Sequence, residues 1–588
     1  MHQKINFQKL TQNSLKIVEK YQILLNKVSK NESWQNNEPI FDHLETSKTF
    51  VDIFTSLYSN PQKLLDLQAD YVRESIALLE YSLKKCAGEN PSPIYEPARK
   101  DKRFQDESWN ESVFFDFVKQ TYLMNTIWLE TLFSDIHVAH KTKLRANFFI
   151  RQIINALAPS NFISTNPTVL KEIIATNGEN LLKGLNNLIE DLDSSKHIFD
   201  IKRIDNKVYE IGRNIATTKG QVVYQNDLMQ LIYYEPTTAQ VRYVPLLVIP
   251  PWINKYYILD LTEHDSFVRW VVNQGVSVFL ISWVNPDAKL SNKTFDDYML
   301  QGPIEAINFI KTLTATKDVN VLGYCLGGTL TSITAAYLYS KGDHSIKSAT
   351  FLTTLLDFQD AGDILVFIDD SQLKKIESKM LKDGYYDGDY MSATFSLLRS
   401  NDMIWSFFVN NYLLGKEPLP FDILYWNADS TRLPAKMHSF YLRNMYMENN
   451  LAKPSKIKIA GVPVDLHNIH MPCYFLSGID DHIAPWRATY QAHELISGPI
   501  KFVLSGSGHV AGVVNPPGKN KYYYWTNDTK NLSSTKWLSS ATKCNGSWWP
   551  DWAKWLKTHS GKKIKPISEA VVKKYYVEDA PGSYVMIK

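Results

Sequence analysis

A cysteine stands at the centre of the glycine-rich pentapeptide Gly323-Tyr324-Cys325-Leu326-Gly327, which Gly328 follows. Residues 319–322 before it are strand-like, and residues 329–336 after it are helix-like. Strand, tight turn and helix form a nucleophile elbow, in which glycines permit the turn that exposes the nucleophile. The N-terminus of the new helix favours the thiolate form of the sulfur. We therefore predict that Cys325 is a nucleophile, the alternative being a buried cysteine beside a glycine turn.

Two later segments offer the base and the orienting acid that such a nucleophile needs. In proteins with this elbow, the acid and then the histidine follow the nucleophile along the chain. Residues 472–478 resemble a strand and lead to Asp480 and Asp481, while residues 501–505 resemble a final strand and lead through glycines to His509. The sequence predicts His509 as the base and one of the two adjacent aspartates as the acid, since position alone does not separate them.

The reaction of such a nucleophile also needs two backbone N–H groups that stabilise a developing oxyanion. The first belongs to the residue after the nucleophile, here Leu326. The second comes from the loop after an early strand, and that loop is residues 250–255, which begin Pro250-Pro251. Because proline has no N–H group, we predict that the second donor is Trp252 or Ile253.

Two regions of different character surround these groups. Residues 1–204 show helical periodicity, for example at 118–129 and 169–174, and predict an α-helical N-terminal domain. From residue 205 to 588, short β-rich runs alternate with helical patterns, which predicts a parallel α/β sheet in a catalytic domain. The predicted strands are residues 222–224, 228–233, 244–249, 276–281, 319–322, 349–353, 473–477 and 501–504.

Residues 360–460 interrupt this alternation and are rich in Tyr, Phe, Trp and Met. We interpret them as a helical cap inserted between two strands and covering the site; additional core helices are the alternative. With the elbow, this organisation is typical of an α/β-hydrolase fold with an inserted helical cap, preceded by the α-helical domain.

Composition excludes several classes of protein. A chain of 588 residues is too long for one ordinary core, and its net charge of +3 gives no reason to expect a nucleic acid partner. Four cysteines do not make a disulfide framework, and no His/Cys group has zinc spacing, so we predict no metal. The N-terminus lacks the apolar core of a signal peptide, and the apolar run 244–251 is too short to span a bilayer, which predicts a cytoplasmic protein.

Over residues 100–588 the sequence closely resembles the polyhydroxyalkanoate synthases. The elbow Gly323-Tyr324-Cys325-Leu326-Gly327-Gly328 and the motif Tyr425-Trp426-Asn427-Ala428-Asp429-Ser430-Thr431 both carry the resemblance. Further matching segments, in the family's order, are residues 159–162, 165–167, 212–218, 226–232, 250–261, 481–486, 506–509 and 546–552. Trp252 stands where some members have cysteine. In the family's motif the acid directly precedes His-Ile-x-Pro-Trp, which implies that Asp481 is the acid.

The resemblance implies an acyltransferase that polymerises (R)-3-hydroxyacyl-CoA, in particular 3-hydroxybutyryl-CoA, into polyester through a cysteine-bound acyl thioester. The length and single chain resemble the class I enzymes. No cofactor is implied, since CoA is part of the substrate and is released. The implied partners are the growing polyester and the surface of a cytoplasmic storage granule, a second copy in a homodimer, and granule coat proteins. The alternatives are a cysteine-dependent acyl-CoA thioesterase or polyester depolymerase, and a granule scaffold with a dead site.

Overall fold

The computed structural model describes residues 6–30, 43–134, 136–194, 201–205, 207–529 and 531–588. The chain divides into two compact units. The first unit comprises Met1–Asp205 and Ala393–Leu419, and the second comprises Asn206–Ser392 and Pro420–Lys588. The sequence-based boundary after residue 204 lies one residue from this division. Ala393–Leu419 lies inside the predicted cap insertion but belongs to the first unit.

The first unit is helical. Its helices before residue 205 are α1 (Phe7–Lys30), α2 (His43–Tyr58), α3 (Pro61–Cys86), α4 (Ser108–Glu111), α5 (Val113–Ser134), α6 (His140–Ala156), α7 (Pro167–Thr176) and α8 (Glu179–Ser194). Local sequence explains where α7 begins: Asn166 caps it by accepting from the N–H groups of Thr168 and Val169, and Pro167 occupies its first turn. None of the helices in the described part of the chain is both long and apolar enough to cross a bilayer.

A buried polar cluster joins α3 to α5 in this unit. Asp116 accepts a hydrogen bond from the Tyr81 hydroxyl at 2.6 Å and forms ion pairs with Lys85 and Lys119, the latter at 2.9 Å. Asp116 and Lys119 are both almost completely buried. A buried charge without its partner is costly, so this cluster fixes how the two helices pack.

The second unit is built on a sheet. Its strands are β1 (Gly220–Gln225), β2 (Met229–Tyr234), β3 (Val241–Arg242), β4 (Leu246–Ile249), β5 (Val278–Trp283), β6 (Val319–Tyr324), β7 (Ile346–Leu352), β8 (Tyr385–Tyr386), β9 (Leu433–Pro434), β10 (Lys458–Ile459), β11 (Val462–Pro463), β12 (Cys473–Gly478), β13 (Ile500–Ser505), β14 (Tyr523–Thr526), β15 (Thr542–Asn545), β16 (Lys563–Ile564) and β17 (Glu578–Asp579). Among the described residues, 11 of them form one sheet in the order β15-β14-β13-β12-β7-β6-β4-β5-β2-β1-β17. Each predicted strand overlaps a strand of this sheet.

The sheet is parallel only at its centre. Strands β5, β4, β6, β7, β12 and β13 are parallel, whereas β2, β1 and β17 on one side and β14 and β15 on the other are antiparallel to their neighbours. The prediction of a parallel sheet was therefore wrong for the edges. The reason is local for β1 and β2: Asn226 accepts from the N–H groups of Leu228 and Met229, so a tight turn joins the strands as a hairpin.

Helices alternate with the strands along the chain after residue 205. They are α9 (Phe267–Asn273), α10 (Phe295–Met299), α11 (Glu305–Thr314), α12 (Leu326–Ser340), α13 (Asp370–Asp383), α14 (Gly388–Leu398), α15 (Asp422–Ala428), α16 (Ala435–Tyr441), α17 (Trp486–Tyr490), α18 (Ala492–Leu495), α19 (Ser534–Ser540), α20 (Trp549–His559) and α21 (Glu569–Val572). Helices α13 to α16 lie between β7 and β12 in the chain, where the sequence predicts the helical insertion.

Candidate active site

Cys325 occupies the turn between β6 and α12. Its φ of 52° and ψ of −118° place a non-glycine residue in a strained region of backbone conformation. Its N–H donates to the carbonyl of Leu352 in β7 at 2.9 Å, and its carbonyl accepts from the N–H of Gly328 at 2.9 Å. These bonds hold the turn in place, and the cysteine is partly exposed. The geometry is that of a nucleophile elbow.

Two glycines let the elbow pack closely on its surroundings. A Cβ atom at Gly327 would lie 2.0 Å from the carbonyl oxygen of Ile249, at the end of β4. A Cβ atom at Gly328 would lie 1.9 Å from the hydroxyl of Thr354. The first turn of α12 therefore lies directly against the start of the loop that follows β4, and only glycine fits at these positions.

His509 and Asp481 form a buried pair after β13 and β12. The His509 Nδ1 atom lies 2.7 Å from Asp481 Oδ2. The other carboxylate oxygen of Asp481 accepts from the N–H groups of Ile483 and Ala484, each at 2.9 Å. Asp481 is 6% exposed, whereas the neighbouring Asp480 is exposed at the surface. The geometry thus separates two adjacent aspartates that position in the sequence did not.

The charges around His509 favour its protonated form. Burial by itself would lower the pKa of His509, but the charges of Asp481 and Cys325 and hydrogen bonding to both side chains raise it to about 10. The imidazole also stacks on Tyr324, with ring centres 5.8 Å apart. Cys325, His509 and Asp481 are therefore brought together, with the histidine between the thiol and the carboxylate.

Two tyrosines of the insertion lie near Cys325. Tyr441 is 4% exposed and Tyr446 is partly buried. Burial raises the pKa of Tyr446 first, and the charge of the nearby Cys325 raises it further. The two tyrosine rings meet edge to face at 5.7 Å. Both tyrosines lie in the aromatic-rich part of the predicted insertion. Because their pKa values are raised, both tyrosines stay neutral beside the sulfur.

The three predicted oxyanion residues belong to two segments, the start of α12 and the loop after β4. Leu326 is the first residue of α12, and the first N–H groups of a helix have no acceptor within the helix. Trp252 and Ile253 lie in the loop after β4, whose start packs on Gly327. The Trp252 ring is 2% exposed and meets the rings of Trp283, Phe295, Tyr298 and Tyr441 edge to face.

The site is organised for nucleophilic chemistry by its own side chains. A thiol next to an imidazole that a carboxylate orients can attack an acyl carbon and pass its proton to the histidine. Within the described ranges, no group of three or more His, Cys, Asp or Glu side chains could hold a metal ion. The four cysteines are all free thiols.

Comparisons with known proteins match this architecture. The model of the poly-beta-hydroxybutyrate polymerase N-terminus matches residues 100–271, and that of the α/β hydrolase fold matches residues 287–516. The predicted fold class, an α/β-hydrolase fold with a helical insertion after an α-helical N-terminal region, is confirmed.

Curated relatives match over most of their length. The chain is 42% identical to the poly(3-hydroxyalkanoate) polymerase subunit PhaC of Rhizobium meliloti over 552 residues, which cover 94% of this chain and 90% of that protein. It is 42% identical to the poly(3-hydroxyalkanoate) polymerase of Methylorubrum extorquens, covering 92% and 90%. It is 39% identical to the polymerase subunit PhaC of Cupriavidus necator, covering 94% of each chain. The chain therefore belongs to the poly(3-hydroxyalkanoate) polymerase family.

Proposed function

We propose that this protein is a polyhydroxyalkanoate synthase, an acyltransferase that polymerises (R)-3-hydroxyacyl-CoA and releases CoA. (R)-3-Hydroxybutyryl-CoA is the proposed substrate. The observation that carries the proposal is the 2.7 Å contact between His509 and Asp481 beside an elbow cysteine, in a chain 42% identical to named polymerases. We assign Cys325 as nucleophile, His509 as base and Asp481 as the acid that orients His509.

The first step moves the acyl group from CoA to the enzyme. His509 holds the proton of the Cys325 thiol, and the thiolate attacks the thioester carbonyl carbon. The oxyanion accepts hydrogen bonds from the N–H of Leu326 and from an N–H of the loop at Trp252 or Ile253. The intermediate collapses, the carbon–sulfur bond to CoA breaks, and the CoA thiolate takes the proton from His509. One thioester replaces another, so the exchange is close to thermoneutral.

The second step forms the ester bond. His509 takes the proton of a 3-hydroxyl group, and the alkoxide attacks the acyl carbon on Cys325. The bond between that carbon and the Cys325 sulfur breaks, and the cysteine regains the proton through His509. General base assistance of this type contributes roughly 10²- to 10⁴-fold to the rate. The rings of Tyr441 and Tyr446 near Cys325 would favour the hydroxyl over water as the acceptor.

The proposal includes no cofactor, since the reactive groups are side chains and CoA is part of the substrate. We further propose that the enzyme forms a homodimer and works in the cytoplasm at the surface of storage granules, with the growing polyester and granule coat proteins as partners. These points follow the resemblance to the synthases.

The test is CoA release from (R)-3-hydroxybutyryl-CoA by the purified protein, with turbidity followed in the same sample. CoA release with rising turbidity and insoluble polyester supports the synthase. CoA release with a clear solution and free hydroxy acid would instead identify a thioesterase. A Cys325→Ala variant is expected to release no CoA while it keeps its fold, and CoA release at the wild-type rate would contradict the assigned nucleophile.

A further inference from the structure

Two segments of the sequence, residues 250–257 and 425–431, meet in the second unit. The Asn254 side-chain amide donates to the carbonyls of Trp426 and Asn427, each at 3.3 Å. The Trp426 indole donates to the Lys255 carbonyl at 2.7 Å, and the Thr431 hydroxyl donates to the Trp252 carbonyl at 2.7 Å. The loop after β4 is therefore bound along its length to the insertion.

Lys255 adds a buried charge to this junction. The residue is 5% exposed, and its ammonium group lies 3.1 Å from Asp429 Oδ1. It also donates to the carbonyl of Val585 at 2.7 Å, and Asp429 accepts from the Tyr257 hydroxyl at 2.8 Å. Burial lowers the pKa of Lys255, and the Asp429 charge acts against this. Burying a cation costs free energy, and Lys255 takes no part in the proposed acyl transfer steps. Its burial therefore requires another role.

The carbonyl that Lys255 binds belongs to a well-anchored segment. Strand β17 pairs with β1, and the N–H of Tyr584 donates to the Gln230 side-chain carbonyl at 3.1 Å. The Tyr584 hydroxyl donates to the Asn226 carbonyl at 2.6 Å. Residues 578–584, directly before Val585, are thus held on the sheet, and they keep the Val585 carbonyl in place as an acceptor for Lys255.

The loop is held at both ends by different means. Ile249, the last residue of β4, and Pro250, the first residue of the loop, pack on Gly327 of the elbow, and the Trp283 indole donates to the Pro250 carbonyl at 3.0 Å. Further on, Asn254 has a φ of 60°, in the left-handed region that asparagine tolerates better than most residues. The Lys255 contacts come directly after it in the chain, beyond Trp252 and Ile253.

We propose that Lys255 is a positioning residue for acyl transfer. Its ammonium group clamps the loop between Asp429 and the Val585 carbonyl, and so fixes where the N–H of Trp252 or Ile253 stands relative to the acyl carbon on Cys325. The inference rests on the proposed function and extends it, because it links the oxyanion donor to the insertion and to residues 578–588. Lys255 itself does not touch the reacting atoms.

The test compares Lys255→Met with wild type and with Lys289→Met, an exposed lysine as matched control. An oxyanion donor acts mainly in the transition state, so a displaced loop lowers kcat more than it raises KM. We expect Lys255→Met to lose about 10- to 100-fold in kcat, less than the loss of a whole donor, with KM changed by less than about 3-fold. The alkylation rate of Cys325 by iodoacetamide is expected to stay at the wild-type value.

Asp429→Asn provides a second variant, because it removes the same ion pair while keeping an oxygen for Tyr257. It is expected to show the same loss in kcat with unchanged alkylation, and it carries the test if Lys255→Met does not fold. A folded variant with wild-type kcat would overturn this inference without affecting the proposed function. So would a fall in the alkylation rate of Cys325 that matches the fall in kcat. A wild-type protein that releases no CoA would instead overturn the proposed function on which it rests.

Discussion

At the scale of single residues, two adjacent aspartates of the same chemistry differ in role because their surroundings differ. Asp481 is buried and accepts three hydrogen bonds, two from backbone N–H groups and one from His509. Asp480, its neighbour, is exposed. Sequence position predicted that one of them orients the histidine, and the family motif favoured Asp481. Only the three-dimensional contacts give the physical reason for that choice.

The paired aspartates allow a matched test. Asp481→Asn keeps the shape of the side chain but removes the charge that holds the His509 tautomer and stabilises its protonated form. We expect kcat for CoA release to fall by about 10²- to 10⁴-fold, with folding retained. Asp480→Asn is expected to stay within about 2-fold of wild type. Equal losses in the two variants would contradict the assignment.

The raised pKa of His509 has a consequence for stability. A histidine whose pKa is about 10 in the folded protein binds its proton more tightly there than in the unfolded chain, where the pKa is about 6.5. Its contribution to stability is complete below about pH 6.5 and is lost as the pH rises to about 10. Between these values we expect the Tm of wild type to fall more than that of His509→Gln, measured by scanning calorimetry. If the Tm values of wild type and His509→Gln changed equally with pH, the raised pKa of His509 would be ruled out.

At the scale of elements, the strand, turn and helix of the elbow were predictable from the sequence. Residues 319–336 predicted strand, turn and helix, and β6, Cys325 and α12 follow that order. The prediction succeeded because the glycine-rich turn and the runs on either side of it act locally. The antiparallel edges were missed because pairing direction depends on how connections run across the sheet, and a short apolar run is the same in either orientation.

Packing at Gly327 gives a prediction about the elbow as a unit. Gly327→Ala would place a methyl group 2.0 Å from the Ile249 carbonyl oxygen, so α12 or the loop after β4 must shift. We expect a loss of roughly 1–3 kcal/mol in the free energy of unfolding and a larger relative loss of CoA release. Gly518→Ala, which meets no atom within 4 Å, is the control and should leave both unchanged. Wild-type turnover in Gly327→Ala would show that the close approach is not needed.

At the scale of the whole molecule, the division into two units was only partly visible in the sequence. The change from helical periodicity to β-rich runs predicts a boundary near residue 205. The assignment of Ala393–Leu419 to the first unit could not be predicted, since it depends on long-range contacts. Asn180, for example, donates to the Leu413 carbonyl at 2.8 Å, and the Tyr412 hydroxyl donates to Asp191 at 2.6 Å. The Lys255 junction escaped the sequence analysis for the same reason.

Because the two units have separate cores, we expect that a substitution can lower the stability of the first unit without changing the reactivity of Cys325 in the second. Asp116→Ala leaves Lys119 buried without its ion-pair partner in the first unit, which should cost about 3–5 kcal/mol in the free energy of unfolding. Without denaturant, the alkylation rate of Cys325 in the second unit is expected to stay unchanged. Denaturant unfolding and iodoacetamide labelling check the two halves of the prediction. The exposed Asp66→Ala is the control, and a Cys325 rate that changes with Asp116→Ala would contradict the separation.

The central claim is that the polyester is carried as a thioester on Cys325. The most direct measurement is rapid acid quench of the enzyme during turnover of (R)-3-hydroxybutyryl-CoA, followed by proteolysis and mass spectrometry. We expect the peptide containing Cys325 to gain one or more 3-hydroxybutyryl units, which hydroxylamine removes. The same peptide from the Cys325→Ala variant is expected to gain none. Acyl units found on another peptide, or CoA release with Cys325 unmodified at every quench time, would contradict it.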